Sequence, residues 1–429
     1  MRALLAGRPA LAASLQSLAT NLAILAVNVA TGLLTARVLG PDGRGRLAAM
    51  LLWPQFLAYG LNLGVPRALT FQLRNRPQEE PGLMGAALWL SLLLGLVASA
   101  SGIFLIPEAL HAYSQADVRF AQAVMPLAIA VLLSSILTSW QQGKGDFRRL
   151  NLSRYSAPLL TLAGLVGLAL TGHLGARSAA LCYLFGSLPA TAWNLRSLLG
   201  QLRPRPRRTS FSALLHYGIR SYGADLLGTL GSQLDRLLVL GFLDPRELGL
   251  YVVSQNLARL LGSLEGAASL VLFPRASGRS TDEVLGMTDR ALSVTNAAAL
   301  LAAALLALAG PAALSLLYGN RFAAASAVFR LLLLEAVLAG AANLMGQALL
   351  AVNRPGVVTL LSGLSVGSSA LLLLWLVPTD GLVGAGLALA AGTGMRLLAS
   401  YLCFPLLLRC RPPRLLPRRS DLFPARQPR

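Results

Sequence analysis

The chain is short of charge. Asp, Glu, Lys and Arg make up 13% of its 429 residues, about half the share usual in soluble domains. Lysine is almost missing, with Lys144 the one example against a total of 37 Lys and Arg. Three cysteines, Cys182, Cys403 and Cys410, lie far apart or in apolar runs. An odd, scattered set excludes a disulfide framework and a cysteine metal centre. The three histidines, His111, His173 and His216, fall near expected helix ends. They suit interfacial positions better than ligand or proton-relay roles. GKGD at 143–146 lacks the Lys-Ser/Thr ending of a phosphate loop, and no Gly-x-Ser-x-Gly, His-Glu-x-x-His or Cys-x-x-Cys is present. The longest hydrophilic internal stretch is 200–212, too short to be a soluble catalytic domain. These absences exclude the common hydrolases and nucleotide-driven machines. No cofactor and no metal is expected.

What remains is apolar. Hydrophobic residues make up 55% of the chain, enough for about twelve membrane spans of ~20 residues each. Disordered chains are apolar-poor, so disorder is excluded. The net charge of +20 would suit a nucleic-acid binder, but the arginines sit in short loops and in a basic tail from Arg409, as in membrane proteins. No aromatic-plus-basic stripe or zinc spacing accompanies them, so no nucleic-acid partner is expected. The N-terminus is basic and then apolar, but the run 11–39 is too long for a signal-peptide core and reads as a retained helix.

Gly, Pro and charge divide the chain into twelve expected spans: 11–39, 46–73, 82–106, 118–141, 155–172, 178–199, 213–242, 247–273, 290–317, 325–351, 356–377 and 382–408. The fold class is an all-α polytopic membrane protein of two six-helix lobes around a central cavity. The expected division is 1–199, a connector at 200–212 read as flexible and non-helical, 213–408, and a tail at 409–429. Most Lys and Arg fall in alternate loops with both termini and the connector, which places these in the cytoplasm of a bacterial inner-membrane protein. Arg37, Arg44 and Arg46 run against that pattern.

The halves resemble one another in a way that points to an internal duplication, with chance resemblance of apolar helices as the alternative. LGPDGRGRL (39–47) resembles LDPRELGLY (243–251), and IPEALHAY (106–113) resembles GPAALSLLY (310–318), both at an offset of 204. VPRA (65–68) resembles FPRA (273–276) in the same order. Six is even, so the copies share one orientation and form a parallel repeat.

A charge at mid-membrane is costly, so polar side chains should share a face toward a cavity or a partner. In the first helix Ser14, Ser17, Asn21, Asn28, Gly32 and Thr35 do so at ~100° per residue. Gln55, Tyr59, Asn62 and Pro66 form a stripe on the second. Ser221, Asp225, Thr229, Ser232 and Arg236 form one on the seventh, with Asp235 near its edge. Gln255, Arg259, Gly262, Gly266 and Ser269 do the same on the eighth, with Glu265 off the stripe. Asn343 and Gln347 are one turn apart on the tenth, two turns after Glu335. Arg236 and Arg259 carry planar forks that suit phosphate oxygens. Their structural alternative is an internal ion pair, Arg236 with Asp235 or Arg259 with Glu265. Asp225, Glu265 and Glu335 are the ion-coupling candidates, against a permanently neutral structural role. The expected substrate-binding set is Asn21, Asn28, Gln55, Tyr59, Asn62, Asp225, Arg236, Gln255 and Arg259. Helix–helix packing is the alternative for the small residues.

ARVLGPDGRGRLAAMLLWPQF (36–56), LNLGVPRAL (61–69), SQLDRLLVLGFLDPRELGLYVVSQNLARLL (232–261) and SLVLFPRAS (269–277) resemble the Wzx-type lipid-linked oligosaccharide flippases. These lie within the multidrug/oligosaccharidyl-lipid/polysaccharide exporter superfamily. The resemblance covers nearly the whole chain. It implies two lobes that alternate access, a cavity lined by helices 1, 2, 7 and 8, and an undecaprenyl-pyrophosphate-linked repeat unit as cargo. The pathway implied is O-antigen, lipopolysaccharide or exopolysaccharide synthesis. The partners implied are the lipid-linked oligosaccharide, membrane lipids, a glycan polymerase and glycosyltransferases. The expected function is thus a non-enzymatic flippase. The rivals are a cation-coupled multidrug antiporter of the same superfamily and a non-transporting scaffold of a glycan-assembly complex.

Overall fold

The computed structural model describes residues 2–262, 281–352 and 354–416, and they contain no β-strand. The first helix, α1 (Arg2–Gly60), has 59 residues. At 1.5 Å per residue that is ~88 Å, about three times the ~30 Å of a bilayer core, so it cannot be one span. It breaks at Gly40, whose φ of 67° and ψ of −176° suit a residue without Cβ. Pro41 follows, without an N–H to continue the ladder. α14 (Pro355–Cys403) breaks in the same way at Gly381, φ 56°.

Between them run α2 (Val65–Asn75), α3 (Glu80–Ala109), α4 (Gln115–Ala123), α5 (Leu127–Lys144), α6 (Phe147–Leu170), α7 (Ala176–Phe185), α8 (Leu188–Gln201) and α9 (Arg208–Phe242). There follow α10 (Pro245–Ala258), α11 (Thr281–Leu308), α12 (Gly310–Tyr318) and α13 (Ser326–Ala351).

Six of the described helical stretches are long and apolar enough to cross a membrane, or seven if α4 and α5, bent by 41°, form one span. Twelve were expected, and the shortfall has physical causes. Two of the six stretches contain the breaks at Gly40 and Gly381. The sixth expected span is divided between α7 and α8. The seventh, α9, is diluted by Arg220, Asp225, Asp235 and Arg236. The eighth runs into residues outside the description. The surface is apolar where lipid would lie: Phe104 and Leu308 are each 81% exposed and Trp375 is 69% exposed. The chain is a multi-pass membrane protein.

Two compact units divide the chain at Thr229 and Leu230, inside α9. In the first, α1 packs on α3, α5, α6 and α7, and α2 packs on α3 and α5. Its core centres on Leu69, Leu83, Met84 and Trp140. In the second, α13 packs on α10, α11 and α14 around Val284, Met345, Leu349 and Phe404.

The connector is shorter and more ordered than the sequence implied. Pro204 and Pro206 confine the non-helical stretch to 202–207, and helix resumes at Arg208. The stretch is docked, because the Arg205 N–H donates to the Pro81 carbonyl at 3.0 Å. The chain after the last helix behaves alike. The Arg414 N–H donates to Asp289 Oδ1 at 2.6 Å, and Asn296 donates to the Leu415 carbonyl at 2.9 Å. One basic strap therefore lies on α3 and another on α11.

Candidate functional site

In the second unit, polar side chains from two consecutive helices converge on one carboxylate. Asp244 caps α10 by accepting from the Glu247 N–H at 2.7 Å, and Pro245 fills the first helical position. The sharp turn brings one face of α10 against α9, so Tyr251 and Gln255, one turn apart, both reach Asp235. The Tyr251 hydroxyl donates to Asp235 Oδ2 at 2.8 Å, and Gln255 Nε2 donates to the same oxygen. Gln255 Oε1 accepts from Arg236 Nε at 2.6 Å, and Arg236 Nη2 donates to Asn256 at 3.2 Å. Arg259 stands 4.0 Å from Asp235 Oδ2, its side chain half exposed. The other Asp235 oxygen, Oδ1, is buried without a hydrogen-bond partner among the described residues.

Glu335 on α13 lies within electrostatic reach of Asp235, Arg259 and Arg396. It accepts from the Thr393 hydroxyl at 3.2 Å, and Arg396 donates to Asn343 at 2.7 Å. The assembly holds three arginines and two carboxylates, of which Glu335 and Arg396 lie on helices long and apolar enough to cross a membrane, where isolated charge is unfavourable. Its guanidinium forks suit phosphate or carboxylate oxygens, and its open carboxylate oxygen suits a cation or a proton.

Of the residues expected from sequence, Arg236, Gln255, Arg259 and Glu335 belong to this cluster. Glu265 lies outside the described residues, as do the side chains of Asn21 and Asp225. Asn28, Gln55 and Tyr59 are exposed on α1 in the first unit. Asn62 is buried and occupied by the α1–α2 turn. It donates to the Tyr59 carbonyl at 2.8 Å and accepts from the Gly64 N–H at 2.7 Å.

Sequence reasoning gave no role to Tyr251, Asn256, Thr393 or Arg396, and it placed Asp235 at the edge of its stripe and as the ion-pair alternative for Arg236, whereas Arg259 is the arginine that stands beside it. It also missed Asp117 of the first unit, which is 1% exposed. That carboxylate pairs with Arg46 at 2.7 Å and Arg177 at 3.0 Å, and accepts from Ser114 at 2.7 Å. Among the described residues no group of His, Cys, Asp and Glu is arranged for a metal ion.

The fold is that of MOP-superfamily transporters. It matches the lipid II flippase MurJ in an inward closed conformation, with a TM-score of 0.77 at 13% identity over 94% of this chain and 88% of that one. It matches an inward-facing multidrug resistance MATE transporter with a TM-score of 0.70 at 16% identity, over 88% and 92%. A MOP-superfamily transporter from Pyrococcus furiosus gives 0.56 at 15% identity, over 91% and 93%. Comparison with curated proteins returns no match. The profile of the polysaccharide biosynthesis protein family matches residues 34–327, and the chain belongs to that family.

Proposed function

We propose that the protein flips a polyprenyl-pyrophosphate-linked oligosaccharide across the bacterial inner membrane for cell-surface polysaccharide synthesis. The observation that carries this reading is the cluster around Asp235. Two neighbouring arginines, Arg236 held by the neutral acceptors Gln255 and Asn256 and Arg259 beside the Asp235 carboxylate, offer a place for an acidic headgroup. Membership of a polysaccharide biosynthesis family and the transporter fold support it. Arg236 and Arg259 contact the anionic part of the cargo, and Gln255 keeps Arg236 oriented. Asn28, Gln55 and Tyr59 contact sugar hydroxyls, and the polyprenyl chain stays in lipid. In this reading the breaks at Gly40 and Gly381 separate spans of a twelve-span protein of two six-helix lobes, with both termini and the connector cytoplasmic. A glycan polymerase and glycosyltransferases act beside it on O-antigen or exopolysaccharide. No bond is made or broken in the cargo.

The test is removal of the protein from its host. Lipid-linked repeat units should accumulate on the inner leaflet and surface polysaccharide should fall, with recovery on re-expression. An unchanged level of both would end this reading.

One observation favours a second reading, a cation-coupled multidrug antiporter. Asp235 Oδ1 is buried without a hydrogen-bond partner among the described residues, and Glu335 lies in its field. Dye efflux from proteoliposomes driven by a proton or Na⁺ gradient, and abolished in Asp235→Asn, would select it.

A further inference from the structure

The two docked straps are alike in composition and in place. Arg203-Pro204 follows α8 and Arg411-Pro412 follows α14, and each strap bonds through backbone groups to the helix beneath it. The first strap is held closely. A Cβ on Gly85 of α3 would lie 2.5 Å from the Pro206 nitrogen and 2.7 Å from the Arg205 carbonyl carbon. Only a bare backbone lets the strap approach this near, so its arginines are presented from a fixed backbone. Arg203, Arg205, Arg207 and Arg208 are all exposed. The nearby carboxylates already have partners: Glu79 pairs with Arg76 at 3.6 Å, and Glu80 takes Lys144 at 3.2 Å and Trp140 Nε1 at 2.6 Å.

The surroundings identify what the arginines face. The strap joins the ends of α8 and α9. Leu199 on α8, within a turn of the strap, is 54% exposed, and Ile219 on α9, about three turns past it, is 57% exposed, so large apolar side chains lie on the surface on both sides of it. Guanidinium groups at the rim of such a surface sit at headgroup depth, and their planar forks match phosphate oxygens. We infer that the first strap is a binding surface for the phosphate headgroups of anionic phospholipids, built from Arg203, Arg205, Arg207 and Arg208. The second strap offers Arg409 and Arg411, both exposed, while Arg414 is paired with Asp289 at 3.5 Å. Among the described residues it thus offers fewer unpaired exposed arginines than the first. This inference is independent of the cargo.

Full-length protein in mild detergent is titrated with phosphatidylglycerol or with phosphatidylcholine of the same acyl chains. Bound lipid is counted by native mass spectrometry. A basic side chain near an anionic membrane surface is worth about fivefold in association, and sharing of one headgroup by several forks reduces the sum. Wild type should retain phosphatidylglycerol over phosphatidylcholine by about tenfold. Changing the four arginines to Gln should cut that preference to a third or less, while changing them to Lys should keep most of it. If the fourfold Gln variant does not fold, Arg207→Gln with Arg208→Gln should give about half the effect. An unchanged preference in the folded Gln variant overturns the inference. So does loss of the wild-type preference in millimolar inorganic pyrophosphate, which assigns the surface to free phosphate. Saturation by a polyprenyl pyrophosphate but not by phosphatidylglycerol overturns it too, by assigning the surface to cargo.

Discussion

The two units bury charge in different places, although short stretches of their sequences resemble one another. In the first, Asp117 sits in the opening turn of α4, and both of its cationic partners also come from near helix starts. Arg46 follows the Gly40 break, and Arg177 lies in the first turn of α7. In the second, Asp235 is well inside α9, its close donors are neutral, and its arginine stands 4.0 Å off. At the offset of 204, Asp235, Arg236, Tyr251 and Gln255 correspond to Thr31, Gly32, Leu47 and Leu51, while Arg46 and Asp117 correspond to Leu250 and Arg321. At these positions one half is neutral or apolar where the other is charged, except that Arg321 stands opposite Asp117. The first unit thus uses a carboxylate as a staple between helix ends. The second uses a carboxylate as the hub of a polar cluster between two consecutive helices.

That contrast can be broken by substitution. The largest effect is expected from Asp117→Ala, which leaves Arg46 and Arg177 facing an emptied site. Breaking a buried pair costs about 3 kcal/mol, seen as a large fall in thermal unfolding temperature or in folded yield. Asp235→Asn should cost about 1 kcal/mol, because Tyr251 and Gln255 retain an acceptor. Equal destabilisation by the two variants would erase the distinction between staple and hub.

Next in size is the effect of Asp235→Asn on transport. Surface polysaccharide in a strain lacking the protein should be restored to a tenth of wild type or less, at near-normal membrane levels of the variant. Arg236→Ala combined with Arg259→Ala should lower display about fivefold. Wild-type display from that double variant would remove the anion-binding roles. The smallest change is expected from Asn62→Ala, which loses the two hydrogen bonds of the α1–α2 turn. It should cost about 1 kcal/mol and leave transport per folded molecule unaltered. A loss of transport at unchanged stability would return Asn62 to the substrate-binding set.

Much of this was legible in the sequence, within limits set by physics. Helical periodicity is a local property, so the stripes that carry Arg236, Gln255 and Arg259 could be read directly. A helical wheel gives the direction of a side chain but not its partner. The role of Asp235 depends on how α10 folds back after Asp244 and Pro245, and this also decides that Tyr251 and Gln255 meet on one oxygen. Asp117 was invisible for the same reason, since its partners are 71 and 60 residues away. Asn62 carried a signal that was passed over. Asn followed by Gly two residues later and then by Pro66 marks a turn in which the side chain serves the backbone. The connector was rightly read as non-helical at 202–207, but its docking on α3 could not be read from Pro and Arg, because it depends on a glycine on a different helix.

The length of the Arg259–Asp235 contact has a kinetic consequence. If this guanidinium is drawn aside, the carboxylate left behind is still clasped by a phenol and an amide. Trading partners here need strand no naked ion in oil, so both capture and surrender of a guest can be quick. A shorter and drier pair would release its guanidinium less readily.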